Sequence, residues 1–134
     1  MKFPLVLSTM LVLAVTGCGS PRVTRTPPDL PFSKQDPRGL DVRWRVARGS
    51  DRVLVDGLVM EARETSVPVK EAMLEVRGLD SQDRVVSWTS SVVYWSDDSG
   101  ADRTQPFHMR LHPVGTETHF DVVVTSIDYY DWGG

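Results

Sequence analysis

Three histidines, His108, His112 and His119, fall within twelve residues, and Asp121 follows two positions after the last. Imidazole nitrogens and a carboxylate are a donor set that suits Zn2+. Phe107, Met109 and Leu111 alternate with the first two histidines, so on a strand both imidazoles share one face. Four steps of about 3.3 Å then hold them about 13 Å apart, too far for one ion to bridge. Histidines on a solvent face are the better reading. Asp97, Asp98 and Asp102 surround Gly100, and clustered carboxylates can bind Ca2+. The spacing does not fit an EF-hand loop, and Asp-Ser-Gly is a turn composition. No metal and no cofactor is implied. Gly-x-Ser-x-Gly, His-Glu-x-x-His and P-loop patterns are lacking. The expectation is a protein without enzymatic activity. A dispersed Ser-His-Asp set would leave no motif, so an envelope hydrolase is the least favoured alternative.

The aromatic residues offer a different chemistry, stacking on a sugar or a peptide. Trp44 and Trp88 sit in apolar alternation and read as core. Tyr129, Tyr130 and Trp132 lie between aspartates near the C-terminus and are the candidate ligand or partner contact.

Charge and cysteine usage narrow the class. The formal net charge is −3 over 134 residues. The leader carries one charge, Lys2, so the chain beyond it has 14 basic and 18 acidic residues, a net of −4. A nucleic-acid partner would need a concentrated basic face, so none is expected. With one cysteine there is no intrachain disulfide, and the fold must rest on its apolar core.

The first residues read MKFPLVLSTMLVLAVTGC. Lys2 is a short positive start, and Phe3 to Val15 is almost wholly apolar without charge. That run is too short for a comfortable membrane span of about 20 residues and suits the apolar part of a secretory signal. Leu13-Ala14-Val15-Thr16-Gly17-Cys18 resembles a lipobox, the motif of bacterial lipoproteins. The resemblance implies cleavage between Gly17 and Cys18, a diacylglycerol on the Cys18 sulfur, and often a further acyl chain on the new N-terminus. Each buried methylene contributes about 0.8 kcal/mol, so two or three chains hold firmly. Gly19 follows the cysteine where Asp would favour inner-membrane retention, so the resemblance leans to the outer membrane, facing the periplasm. Residues 1–17 are therefore read as a signal peptide. Residues 18–38 are read as the lipidated cysteine and a tether, because Pro21, Pro27, Pro28, Pro31 and Pro37 exclude a helix or a central strand.

Residues 39–134 then have to form the folded domain. Asp41, Arg43 and Arg45 alternate with Val42, Trp44 and Val46; Ala72, Leu74 and Val76 alternate with charged neighbours; Phe107, Met109 and Leu111 do the same. Period two marks half-buried strands. Val53 to Ala62 is a strand with both faces apolar, and Phe120 to Ile127 is the last strand. Val85 to Trp95 is the longest uncharged β-type run; as an exposed edge it would invite aggregation, so it is placed inside a sheet or bent between two. About six or seven strands and no capped 3.6-residue period suggest a small antiparallel sandwich of immunoglobulin-like type, with a small barrel as the alternative.

Val53-x-Val55-x-Gly57-x-Val59, Pro68-Val69, Asp80 before a turn and Val85-Val86, then Leu111-x-Pro113-x-Gly115 and Phe120-x-Val122-x-Val124, make the domain similar to the FxLYD-type sandwich common in bacterial lipoproteins. Val76-Arg77-Gly78-Leu79-Asp80 keeps the terminal Asp of the naming motif, and Glu61 stands where Asn is usual. The resemblance implies no activity and carries over no catalytic residue. The sequence thus points to a membrane-anchored interaction or structural module with another envelope protein as partner. A glycan- or small-ligand-binding module is the alternative.

Overall fold

The structure, a computed structural model, describes residues 29–62, 67–96 and 103–131. The leader with Gly17 and Cys18, the aspartates between 97 and 102, and Trp132 lie outside the described residues. Seven strands make up the described chain: β1 (Phe32–Asp36), β2 (Leu40–Arg48), β3 (Val53–Glu61), β4 (Val69–Leu79), β5 (Val85–Tyr94), β6 (Thr104–Leu111) and β7 (His119–Tyr129). They form two antiparallel sheets, β1-β2-β3-β6 and β5-β4-β7, and no helix is present among the described residues. The all-β sandwich matches the expectation. Its threading is less ordinary. If β2 to β7 are read as immunoglobulin strands D, E, F, G, B and C, every ladder between them is an immunoglobulin ladder, so the neighbours are those of a circularly permuted order.

The core follows from alternation. β2 contributes Leu40, Val42 and Trp44, β3 contributes Val53, Val55 and Val59, and β6 contributes Phe107, Met109 and Leu111. Val69, Ala72, Leu74 and Val76 of β4, Val93 of β5 and Phe120 and Val122 of β7 face them from the other sheet. Full burial of such a side chain stabilises by about 1.5–3 kcal/mol. The ambiguous strand β3 is thereby oriented, with Leu54, Asp56, Leu58 and Met60 on its outer face. Gly57 occupies the inward position opposite Phe107. A Cβ there would stand 2.1 Å from the Arg43 carbonyl and 2.5 Å from the Phe107 ring, so only glycine admits that ring.

Three sequence expectations give way. The folded part begins earlier than residue 39, because β1 pairs with β2 inside the proline-rich stretch. Pro31 and Pro37 stand just outside β1 at its two ends, where a missing amide costs no ladder bond. Phe32 stacks on Trp44 with ring centroids 5.8 Å apart. Second, Val85 to Trp95 is neither interior nor bent, since β5 is the edge of the three-stranded sheet. Third, Trp44 is buried as expected, but Trp88 is 63% exposed, because alternation along β5 puts Ser87 and not Trp88 toward the core.

The flanks of the sandwich differ. On the β1/β7 side, Lys34 meets Asp121 at 2.8 Å, and Arg38 donates to the Val124 carbonyl at 2.7 Å. On the β5/β6 side, the ties cluster at one end. Arg103 pairs with the nearly buried Glu61 carboxylate and donates to the Val69 carbonyl at 2.6 Å. The Trp95 indole donates to the Arg103 carbonyl at 3.0 Å.

Candidate functional site

The outer face and free edge of β5 stand out from the rest of the described surface. Trp95 donates its amide to the Lys70 carbonyl of β4. In an antiparallel ladder the direction of backbone groups alternates, so Val93, Ser91, Thr89 and Ser87 also turn theirs to β4. Trp88, Ser90, Val92 and Tyr94 turn theirs away, and no strand pairs with that edge among the described residues. The same four residues point their side chains to solvent. Trp88 and Tyr94 are 63% and 64% exposed, and Ser90 between them is exposed. Across the ladder they stand beside Arg77, Glu75, Met73 and Glu71. From Val85 to Trp95 there is no charge and no proline. Natural edges are usually blunted by lysine, proline or a bulge; the register of β5 shifts only at its start, beside Gly78 and Leu79, so the regular stretch from Ser87 to Tyr94 is a template for a further strand.

A buried acid fixes the other end of β5. Glu117, in the β6–β7 connection, is 9% exposed. Its carboxylate accepts from the Ser87 hydroxyl at 2.6 Å and from the backbone amides of Val114 at 2.7 Å and Gly115 at 2.8 Å. Burial works against its charged form, but these hydrogen bonds outweigh burial and lower the pKa to about 2. Gly78 makes room for it. A Cβ on Gly78 would stand 2.3 Å from the Ser87 hydroxyl and 2.7 Å from Glu117 Cγ. Nearby, Asp80 caps the β4–β5 turn. Its carboxylate accepts from the amides of Gln82 and Arg84, and the Arg84 amide is the main cause that lowers its pKa. Asp83 sits at φ 59°, a left-handed position that Asp tolerates. Both acids serve to hold the β5 end in place.

The sequence-derived candidates are dispersed. Tyr129 is half-buried against the core and donates its hydroxyl to the Arg38 carbonyl at 3.3 Å. Tyr130 donates to the Trp95 carbonyl at 2.5 Å. Their third partner, Trp132, lies outside the described residues, as do Gly17 and Cys18. The histidines are split between sheets, because β6 pairs with β3 and β7 with β4. His108 contacts Asp56 on one face, and His119 lies 3.3 Å from Asp83 at the far turn. No group of three potential ligands gathers among the described residues. Two clefts flank the β1 turn. One of about 190 Å3 reaches Val42 and Val122, and one of about 420 Å3 is more open and reaches Asp41 and Ala62. Neither is lined by Tyr129 or Tyr130.

The sequence reading missed Trp88 and Tyr94 as surface residues. The uncharged run itself was the available signal. Comparison with protein-family models, curated proteins and solved structures finds no match to this chain.

Proposed function

We propose that this chain is a bacterial lipoprotein, cut before Cys18 and held to a membrane by lipid on that residue. On this proposal its FxLYD-like β-domain acts by binding another envelope protein and not by catalysis. The apolar leader ending in Val15-Thr16-Gly17-Cys18 supports the anchor, and Gly19 supports the outer membrane, facing the periplasm. The observation that carries the binding role is the bare β5 edge with Trp88 and Tyr94 exposed beside it. An extended segment can add there as a strand, its backbone bonding to Trp88, Ser90, Val92 and Tyr94 and its side chains packing on the two rings. The described chain enters the sandwich at β1, an edge of the other sheet, on the flank away from β5.

A second occupant of the same surface is a glycan, stacked on Trp88 and Tyr94 with the Ser90 hydroxyl between them. Affinity purification of the full chain from its own membranes, followed by mass spectrometry, separates the two. A protein recovered with the wild type and depleted at least tenfold by Ser90→Lys supports strand addition. Equal recovery with Ser90→Lys overturns it. Retention on glycan with no protein recovered moves the reading to the glycan.

A further inference from the structure

We infer that the occupant of the β5 edge is a second copy of this chain, paired antiparallel about a two-fold axis at Ser90; this rests on β5 being the contact surface. The strand is complementary to itself. A two-fold axis at Ser90 sets Ser90 opposite its own copy, Trp88 opposite Val92 of the other copy, and Val92 opposite Trp88. All three positions turn their backbone groups outward, so each pair exchanges ladder bonds. Small serines meet at the axis, and an aromatic ring meets a β-branched residue on each side of it, a favourable cross-strand pairing. The axis stands perpendicular to the sheet, so the outer faces of both copies stay on one side and form a six-stranded sheet.

Charge selects this edge over the others. The chain beyond the leader is acidic, so two copies repel over most of their surface. The other strand edges carry charge: Lys34 and Asp36 on β1, Arg110 on β6, and Asp121 and Asp128 on β7. Pairing there crowds or unpairs those charges, of which Lys34 and Asp36 already hold Asp121 and Arg38, whereas β5 brings none. Because the two sheets lie side by side, the outer faces stay open to solvent, and the contact is made by the backbone ladder and by the flanks of Trp88 and Val92 that meet across it. Two-fold dimers are the commonest closed assembly.

Sedimentation velocity of the full chain carrying Cys18→Ser, from about 1 to 100 μM, tests the inference. A dimer is expected. Because residue 90 faces itself, Ser90→Lys and Ser90→Glu should each be monomeric, with dissociation constants raised at least tenfold. An equimolar mixture of the two should recover a heterodimer. A monomeric parent at 100 μM overturns self-pairing, and so does a dimer indifferent to Ser90→Lys or a mixture that stays monomeric. If the parent is monomeric while Ser90→Lys still abolishes capture of a different protein from membranes, the edge remains the contact surface and only the second copy is lost. If Ser90→Lys changes neither dimerisation nor capture, the contact surface itself is refuted.

Discussion

Replacing Glu117 with glutamine removes one charge from a buried site and leaves its shape. In the wild type, one carboxylate oxygen takes the Ser87 hydroxyl and the Val114 amide, and the other takes the Gly115 amide. A glutamine keeps the first oxygen and turns an NH2 donor toward the Gly115 donor. The carboxyl stands at about 2 against an ordinary 4.5, and each tenfold change in proton affinity corresponds to 1.36 kcal/mol. The whole depression therefore caps the charge contribution at about 3.4 kcal/mol; screening on the solvent side of the loop reduces this to about 2 kcal/mol. For a domain of about 100 residues that is a fall in Tm of roughly 10 °C. The folded pKa is lowered, so the stabilisation is complete above about 4.5 and is lost as pH falls toward about 2. Thermal unfolding of both proteins at pH 7 and pH 2.5, followed by near-ultraviolet circular dichroism, should show a wide gap in Tm at pH 7 that narrows to about a quarter at pH 2.5. Equal Tm values at pH 7, or a gap of the same size at both, would refute the hydrogen-bonded carboxylate.

Three further outcomes follow from the packing and the leader. Trp44→Ala should cost about 3–5 kcal/mol in urea unfolding, whereas Trp88→Ala should stay within about 1 kcal/mol, since one ring is 4% exposed and the other 63%. Gly57→Ala should destabilise by about 2–4 kcal/mol, because the new methyl meets the Arg43 carbonyl and the Phe107 ring; Gly57→Ala paired with Phe107→Leu should recover part of that loss in the same assay. Cys18→Ser should release the chain from membranes or leave its leader uncleaved. A cleaved, membrane-bound variant in a fractionation experiment contradicts lipid anchoring.

Strands β2, β4 and β6 were legible in the sequence because each has one apolar and one polar face. β3 was legible as a strand but not in orientation, since Leu54, Leu58 and Met60 make its outer face apolar too. β5 was misplaced because its polarity is inverted. Hydroxyl residues Ser87, Thr89 and Ser91 face inward, and Trp88, Val92 and Tyr94 face outward. The inward Ser87 has its reason in Glu117, thirty residues away, and local periodicity carries no trace of that contact. β1 was hidden by its flanking prolines. The histidine cluster dissolved for a topological reason. β6 and β7 are consecutive in the chain but belong to different sheets, so nearness in sequence did not become nearness in space. Asp80 was legible as the residue before a turn, because an Asx cap is a local device.

The central claim is that β5 is covered by another strand when the protein is in its own membrane. Amide hydrogen exchange, read residue by residue on native membranes carrying either the wild type or Ser90→Lys, tests it most directly. The outward amides of Trp88, Val92 and Tyr94 should be strongly protected in the wild type and should exchange freely in the variant. Free exchange at these three amides in wild-type membranes would contradict the account.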